Sequence, residues 1–260
     1  MPPDRIQDPL DSRLDAFRHL PGRSPEGGEV VAESELAVGR WLSSGLPVRA
    51  LLTTPERWPR LEPLAPAALE VFLAPIGVIR EVVGFPLRRG VVACGPRPAP
   101  PAPRPSGEHR VVVAQGLSDP RNLGALVRNC RAFGVDEVVV TPSSADPFSR
   151  RAIRASAGHV FELPVRVESL AAAEDRLAGL EWIATSPSAT RALGELRPGP
   201  RWVLVVGNEG AGISAELLER CRTRVRIPLA PGVDSLNVAA ATAVCLHALC
   251  PPPGQGLSSG

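Results

Sequence analysis

Residues 110–141 read RVVVAQGLSDPRNLGALVRNCRAFGVDEVVVT, and this stretch decides the fold. Positions 110–115 form an almost unbroken run of strand-forming residues. Asp119 and Asn122 are helix-start residues, and positions 122–133 carry a helical pattern of apolar side chains. Positions 137–141 form a second apolar strand. Two strands without polar alternation, joined through a helix, predict parallel neighbours in a sheet covered on both faces.

The alternation continues toward the C-terminus. Helices are predicted near 147–157, 171–180, 214–221 and 235–249, with strands at 164–167, 182–185, 202–206 and 225–229. The expected class is therefore α/β with a parallel C-terminal sheet. Ligands of such sheets bind beyond the carboxyl ends of the strands, which directs attention to the residues that follow each strand.

Working outward in the other direction, six of the ten residues from Pro96 to Pro105 are proline. Such a run lacks amide donors and favours extended polyproline geometry. It predicts a semi-rigid spacer of roughly 30 Å and hence a domain boundary. The expected organisation is an N-terminal domain at 1–95, a linker at 96–109, a C-terminal α/β domain at 110–250 and a disordered tail at 251–260. The N-terminal part is a small α/β module. It has a helical pattern at 34–43, a strand at 48–52 and further elements at 71–73 and 79–83.

Composition narrows the chemistry. Hydrophobic residues make up 44% and charged residues 22%, as in a globular protein. The net charge of +2 advertises no strong field for a polyanion. All 29 basic residues are Arg, and Tyr is absent as well as Lys. A lysine base, a Schiff base, a P-loop lysine and a tyrosine acid are thereby excluded. The five cysteines include no C-x-x-C pair, so they read as buried thiols in a reducing compartment, and no metal site is expected. The N-terminus has no apolar signal core, and no apolar run approaches the ~18 residues needed to cross a membrane. The cytoplasm is the expected location.

Three loops carry residues that packing does not explain. The first, at 119–128, holds Asn122, Gly124 and Arg128. The second follows the strand at 202–206 and reads Gly207-Asn208-Glu209-Gly210-Ala211-Gly212. Its glycines let backbone approach a ligand, its spacing is not the dinucleotide fingerprint, and Glu209 between glycines has no packing role. The third runs from Ile227-Pro228 to Ser235-Leu236-Asn237. Asp234 or Ser235 can cap the last helix, whereas Asn237 reads as a buried amide in its first turn that needs partners.

These stretches resemble the SpoU (TrmH-type) family of the SPOUT methyltransferases. Asn122, Gly124 and Arg128 match its Asn-x-Gly-x-x-x-Arg motif. Gly207, Glu209, Gly210 and Gly212 match Gly-x-Glu-Gly-x-Gly, and Ile227-Pro228 with Ser235-Leu236-Asn237 match the third. Arg154-Ala155-Ser156-Ala157-Gly158 also looks like a segment of these enzymes. The resemblance spans about 110–249, and the part ending at 82–90 is similar to the small RNA-binding domain of ribose-methylating members.

The resemblance implies a deep trefoil knot, a homodimer and S-adenosyl-L-methionine as cofactor. It further implies 2′-O-methylation of ribosomal RNA, of the 23S type. Transfer RNA, or a non-catalytic RNA-binding protein of the same fold, is the alternative. Gly207, Ile227 and Leu236 would then contact the cofactor, with Gly210 and Ser235 alongside. Arg128 would activate the hydroxyl or clamp a phosphate, and Asn122, Glu209 and Asn237 would orient both groups. His159 is a further candidate base, His247 a structural residue, and His19 and His109 surface residues.

Overall fold

The computed structural model describes residues 3–18, 28–87, 89–99 and 107–250, and the chain divides into two compact units. The middle of the proline stretch (100–106), the tail at 251–260, His19 and Arg88 lie outside the described residues. The first unit comprises Met1–Ala99 together with Phe148–Glu162, and the second comprises Pro100–Pro147 with Leu163–Gly260. The excursion at Phe148–Glu162 departs from the expected division, as does the break between Ala99 and Pro100, which falls inside the stretch expected as a linker.

In the first unit the strands are β1 (Asp4–Arg5), β2 (Glu29–Glu33), β3 (Ala50–Thr53), β4 (Glu70–Leu73) and β5 (Val91–Pro96). They form one sheet in the order β1-β4-β3-β5-β2. β1, β4 and β3 run parallel, whereas β5 is antiparallel to both of its neighbours. Helices α1 (Glu35–Ser43), α2 (Trp58–Leu61) and α3 (Ile76–Val83) connect the strands. Ser34 starts α1 by accepting from Ala37 N, and Gly84 ends α3 in the left-handed conformation, a common helix stop.

The excursion joins this unit for identifiable reasons. Ser149 caps α5 (Arg150–Ala155), which delivers Arg150 and Arg154 to the buried Glu33 carboxylate at 3.0 and 3.3 Å. Phe161 stacks on Trp41 with ring centroids 4.5 Å apart. Gly158 has φ +85°, and a Cβ there would lie 2.7 Å from Ala37 Cα, so glycine alone allows this approach.

The second unit is the parallel α/β layer structure expected from the sequence. Its strands are β6 (His109–Ala114), β7 (Glu137–Val140), β8 (Val165–Val167), β9 (Glu181–Thr185), β10 (Arg201–Val206) and β11 (Thr223–Val225). They are ordered β11-β9-β10-β6-β7-β8, and every pairing is parallel. The helices are α4 (Pro120–Ala132), α6 (Leu170–Arg176), α7 (Ala215–Arg220) and α8 (Val238–Leu249). Val111–Ala114 and Val203–Val205 are fully buried, which accounts for their lack of polar alternation. α4 packs on α8, and Asn129 Nδ2 donates to Ala239 O at 2.8 Å.

Several boundaries differ from expectation, two of them beside the third loop. The strand expected at 225–229 ends at Val225, since Pro228 has no N–H to give a ladder. The last helix starts at Val238 rather than 235, because the cap is Asn237. From β6 the chain moves outward to β7 and β8, then returns with β10 inserted on the other side of β6. A crevice opens beyond the carboxyl ends at such a reversal, and the three loops converge there.

Candidate active site

β10 ends at Val206, and the chain turns back on itself through 207–212. Asn208 N and Gly212 O, and Gly212 N and Asn208 O, pair at 3.0 and 2.9 Å. A Cβ on Gly207 would lie 2.3 Å from the backbone of Gly212, so this turn closes only around glycine. The Asn208 side chain then pins the loop from inside. Its Oδ1 accepts from Gly210 N and Ala211 N at 2.8 and 3.0 Å, and its Nδ2 donates to Gly116 O at 2.7 Å. Gln115 and Ser214 add a two-way clasp, with both bonds at 2.9 Å.

Asp119 opens α4 by accepting from Arg121 N, with Pro120 at a position where no N–H is required. This leaves Asn122 free of capping duty. Asn122 Nδ2 donates to Glu209 Oε1 at 2.6 Å, and Asn122 Oδ1 accepts from Asn237 Nδ2 at 3.0 Å. Asn237 Oδ1 in turn accepts from Ala239 N and Ala240 N at 3.0 and 3.3 Å. Every donor in this relay points toward the Glu209 carboxylate. Bonds aligned in one sense polarise one another, and here they carry the positive end of α8 to a charge 28 positions earlier in sequence.

Asn237 is thus an exposed helix cap and not a buried amide, which corrects the reading of its environment. Neither Asp234 nor Ser235 takes the cap. Arg128 is exposed on α4, about 9 Å further along the axis than Asn122. Its guanidinium makes no hydrogen bond or ion pair among the described residues.

Beside the relay lies a cleft of about 370 Å³, within the roughly 300–1,000 Å³ of small-molecule sites. Gly207, Glu209, Gly210, Ile227, Ser235 and Leu236 all line it; Asn122, Arg128 and Asn237 do not. Apolar Ile227 and Leu236 face backbone of the glycine turn, which suits a flat heterocycle with polar edges. The carboxylates of Glu209 and Asp234 suit hydroxyl or ammonium donors.

Sequence reading missed Asn208, and it missed Thr185 and Ser186, which line the cleft from the end of β9. The strand-end rule could have flagged the last two. Asn208 carried no signal, since its role depends on where Gly116 comes to lie. His159 belongs to the other unit, where its Nδ1 sits 2.6 Å from Glu162 Oε2. His247 meets the Phe133 ring edge-on, and His109 is half-buried at the start of β6 rather than on the surface. Among the described residues no cluster of His, Cys, Asp or Glu could hold a metal ion.

Comparison with known proteins places this geometry. The family model described as the SpoU rRNA Methylase family matches residues 109–247. An uncharacterized tRNA/rRNA methyltransferase of Mycobacterium tuberculosis is 35% identical over 93% of this chain and 90% of its own length. The 23S rRNA (guanosine(2553)-2′-O)-methyltransferase of Bacillus subtilis is 34% identical over 54% of this chain and 57% of its own length. The AdoMet-bound crystal structure of an rRNA methyltransferase from Sinorhizobium meliloti superposes with a TM-score of 0.80 at 25% identity, covering 94% of this chain and 96% of that one.

Proposed function

This chain belongs to the SpoU rRNA methylase family, and on that premise we propose that it methylates a ribose 2′-oxygen of large-subunit ribosomal RNA. It is an S-adenosylmethionine-dependent RNA methyltransferase. The observation that carries the finer reading is the relay Asn237–Asn122–Glu209 set beside a cleft of nucleoside size.

The residues fit the cofactor. Gly207 and Gly210 present backbone, Ile227 and Leu236 present aliphatic walls, and Ser235 lies alongside. When bound, S-adenosylmethionine supplies an electrophilic sulfonium methyl group. The chain's own residues do the rest. Asn122 and Asn237 hold Glu209 in one orientation, so that a ligand polar group meets a fixed carboxylate. Arg128, charged and without a partner among the described residues, clamps the RNA phosphate and polarises the 2′-oxygen. A guanidinium rarely gives up a proton, so its part is electrostatic.

Two further readings rest on the same unit. Leu229, Val233 and Leu236 expose 36%, 49% and 38% of their surface after β11, and Val244 exposes 41% on α8. Val233 and Val244, which do not line the cofactor cleft, are exposed apolar side chains that a second copy would cover, which supports a homodimer. Insertion of β10 between β6 and β9, with α8 against α4, supports threading of the C-terminal segment into a trefoil knot. The N-terminal unit is read as the RNA-gripping domain. The cytoplasm is the proposed location, in keeping with an RNA substrate and with five cysteines that are all free.

Transfer of labelled methyl from S-adenosylmethionine to transcribed large-subunit ribosomal RNA tests the function, with sites mapped as alkali-resistant linkages. Arg128→Ala should abolish transfer, and Arg128→Lys should retain part of it if charge is what matters. Wild-type turnover in Arg128→Ala would overturn the role given to Arg128. Methylation of a base instead of ribose would overturn the 2′-O assignment.

A further inference from the structure

The first unit contains a second cleft, of about 720 Å³, lined by Glu33, Ser34, Arg80, Leu87, Arg89 and Arg154 together with Pro86. Arg49, Arg57, Arg60, Arg80, Arg88 and Arg89 could each serve an RNA contact on composition alone, Arg88 lying outside the described residues. The structure separates them. Arg49 is paired with Glu29, and Arg57 and Arg60 both bind Glu35. Those three guanidinium groups lie against two carboxylates, and none of them lines the cleft.

The cleft arginines are different. Arg80 is fixed by donation from Nε to Leu87 O at 2.9 Å, which leaves its terminal amino groups at the cleft. Arg89 is exposed and has no protein partner among the described residues. Arg154 comes from the excursion at Phe148–Glu162; it spends one amino group on Glu33 and keeps 67% of its side chain exposed. Glu33 is compensated a second time by Arg150, whose guanidinium also lies 3.9 Å from the Phe85 ring centre. The cleft is therefore lined by three guanidinium groups and one carboxylate, an excess of two positive charges.

We propose that this cleft is a phosphate subsite for the RNA backbone, built jointly by Arg80 and Arg89 of the N-terminal sequence and Arg154 of the excursion. Guanidinium forks match phosphate oxygens in pairs, and a cleft of this size admits a nucleotide. The assignment rests on the ribosomal-RNA reading and locates where the first unit grips that substrate. It also gives the excursion a purpose, since α5 carries the third cation of the subsite.

The test is filter binding of the full-length protein to transcribed large-subunit ribosomal RNA fragments across a salt series. Donor binding by calorimetry serves as an independent check. Arg80→Ala/Arg89→Ala/Arg154→Ala should weaken RNA binding by roughly 10- to 100-fold. The salt slope should fall by about 2, at ~0.7–0.9 for each phosphate no longer neutralised, with donor affinity unchanged. Arg49→Ala, which removes a paired arginine of the same unit, should leave the slope alone.

Arg89→Glu alone removes no hydrogen bond or ion pair among the described residues; it should reduce RNA affinity several-fold with donor affinity unchanged. An unchanged slope and affinity in both cleft variants would overturn the proposal. Inorganic phosphate binding at the cleft with an unaltered RNA slope would assign it to free anions, which overturns the RNA assignment. A wild-type protein that takes up the donor but binds no ribosomal RNA would bring down the substrate reading itself, and this subsite with it.

Discussion

Asn122 and Glu209 stand 87 positions apart in sequence and are joined by a 2.6 Å hydrogen bond from amide to carboxylate. That bond closes a path from the first turn of α8, through Asn237, to the glycine turn after β10. Each amide in the path both accepts and donates, so rotation breaks two bonds at Asn122 and three at Asn237.

Substitution of Asn122 therefore reaches further than its own contact. Asn122→Ala should leave Glu209 without its donor and Asn237 without its acceptor, and because both groups face solvent, water takes over with little loss of stability. The expected result is a fall in kcat of roughly 10- to 100-fold with unfolding temperature little changed. Asn122→Asp should be worse than alanine, because it sets a second negative charge against Glu209. Steady-state kinetics with a thermal scan checks both.

Gly207→Ala probes the turn. The added methyl meets the Gly212 backbone at 2.3 Å, and backbone cannot swing aside as a side chain would. Opening the turn should cost about 1–3 kcal/mol locally and loosen donor binding by roughly 10- to 100-fold. Calorimetric titration with S-adenosylmethionine reads this directly. Near-normal affinity would mean that the turn does not touch the donor.

Acid stability should depend on Glu35. Burial pushes its carboxyl up, but hydrogen bonds from Arg60 and Arg57 outweigh it and hold the group below its ordinary value of 4.5. A depressed native pKa contributes stability that is present above the unfolded value and is lost as pH falls through the native one. Glu35→Gln should accordingly flatten the decline of the melting midpoint below about pH 4.5 and lower the midpoint at neutral pH. Identical slopes for both proteins in the acid range would refute the assignment.

The thiols should be inert. Burial raises Cys245 to about 12 and Cys221 and Cys250 to about 11, and it raises Cys130 further. Thiolate is the reactive form, so native protein at neutral pH should resist iodoacetamide at these four positions and label only on unfolding. Mass spectrometry of peptides from native and denatured samples tests this.

Much was legible in the sequence, and the reason is physical. Strands such as 111–114 and 203–206 are buried on both faces, so their composition declares a parallel sheet without any partner being known. Gly207 betrays the turn because no other residue closes it, and the loops after the strands named the cleft's lining. These are local constraints, written where they act.

Other features were settled only by packing. Asn208 matters because Gly116 lies opposite it, and Asn237 caps α8 because the chain turns at Val238 rather than at Ser235. The excursion at Phe148–Glu162 looks like part of the second unit by position, yet Glu33, Trp41 and Ala37 claim it for the first. Each depends on a partner dozens of residues away, and a one-dimensional pattern carries no record of which distant group will satisfy a given amide or charge.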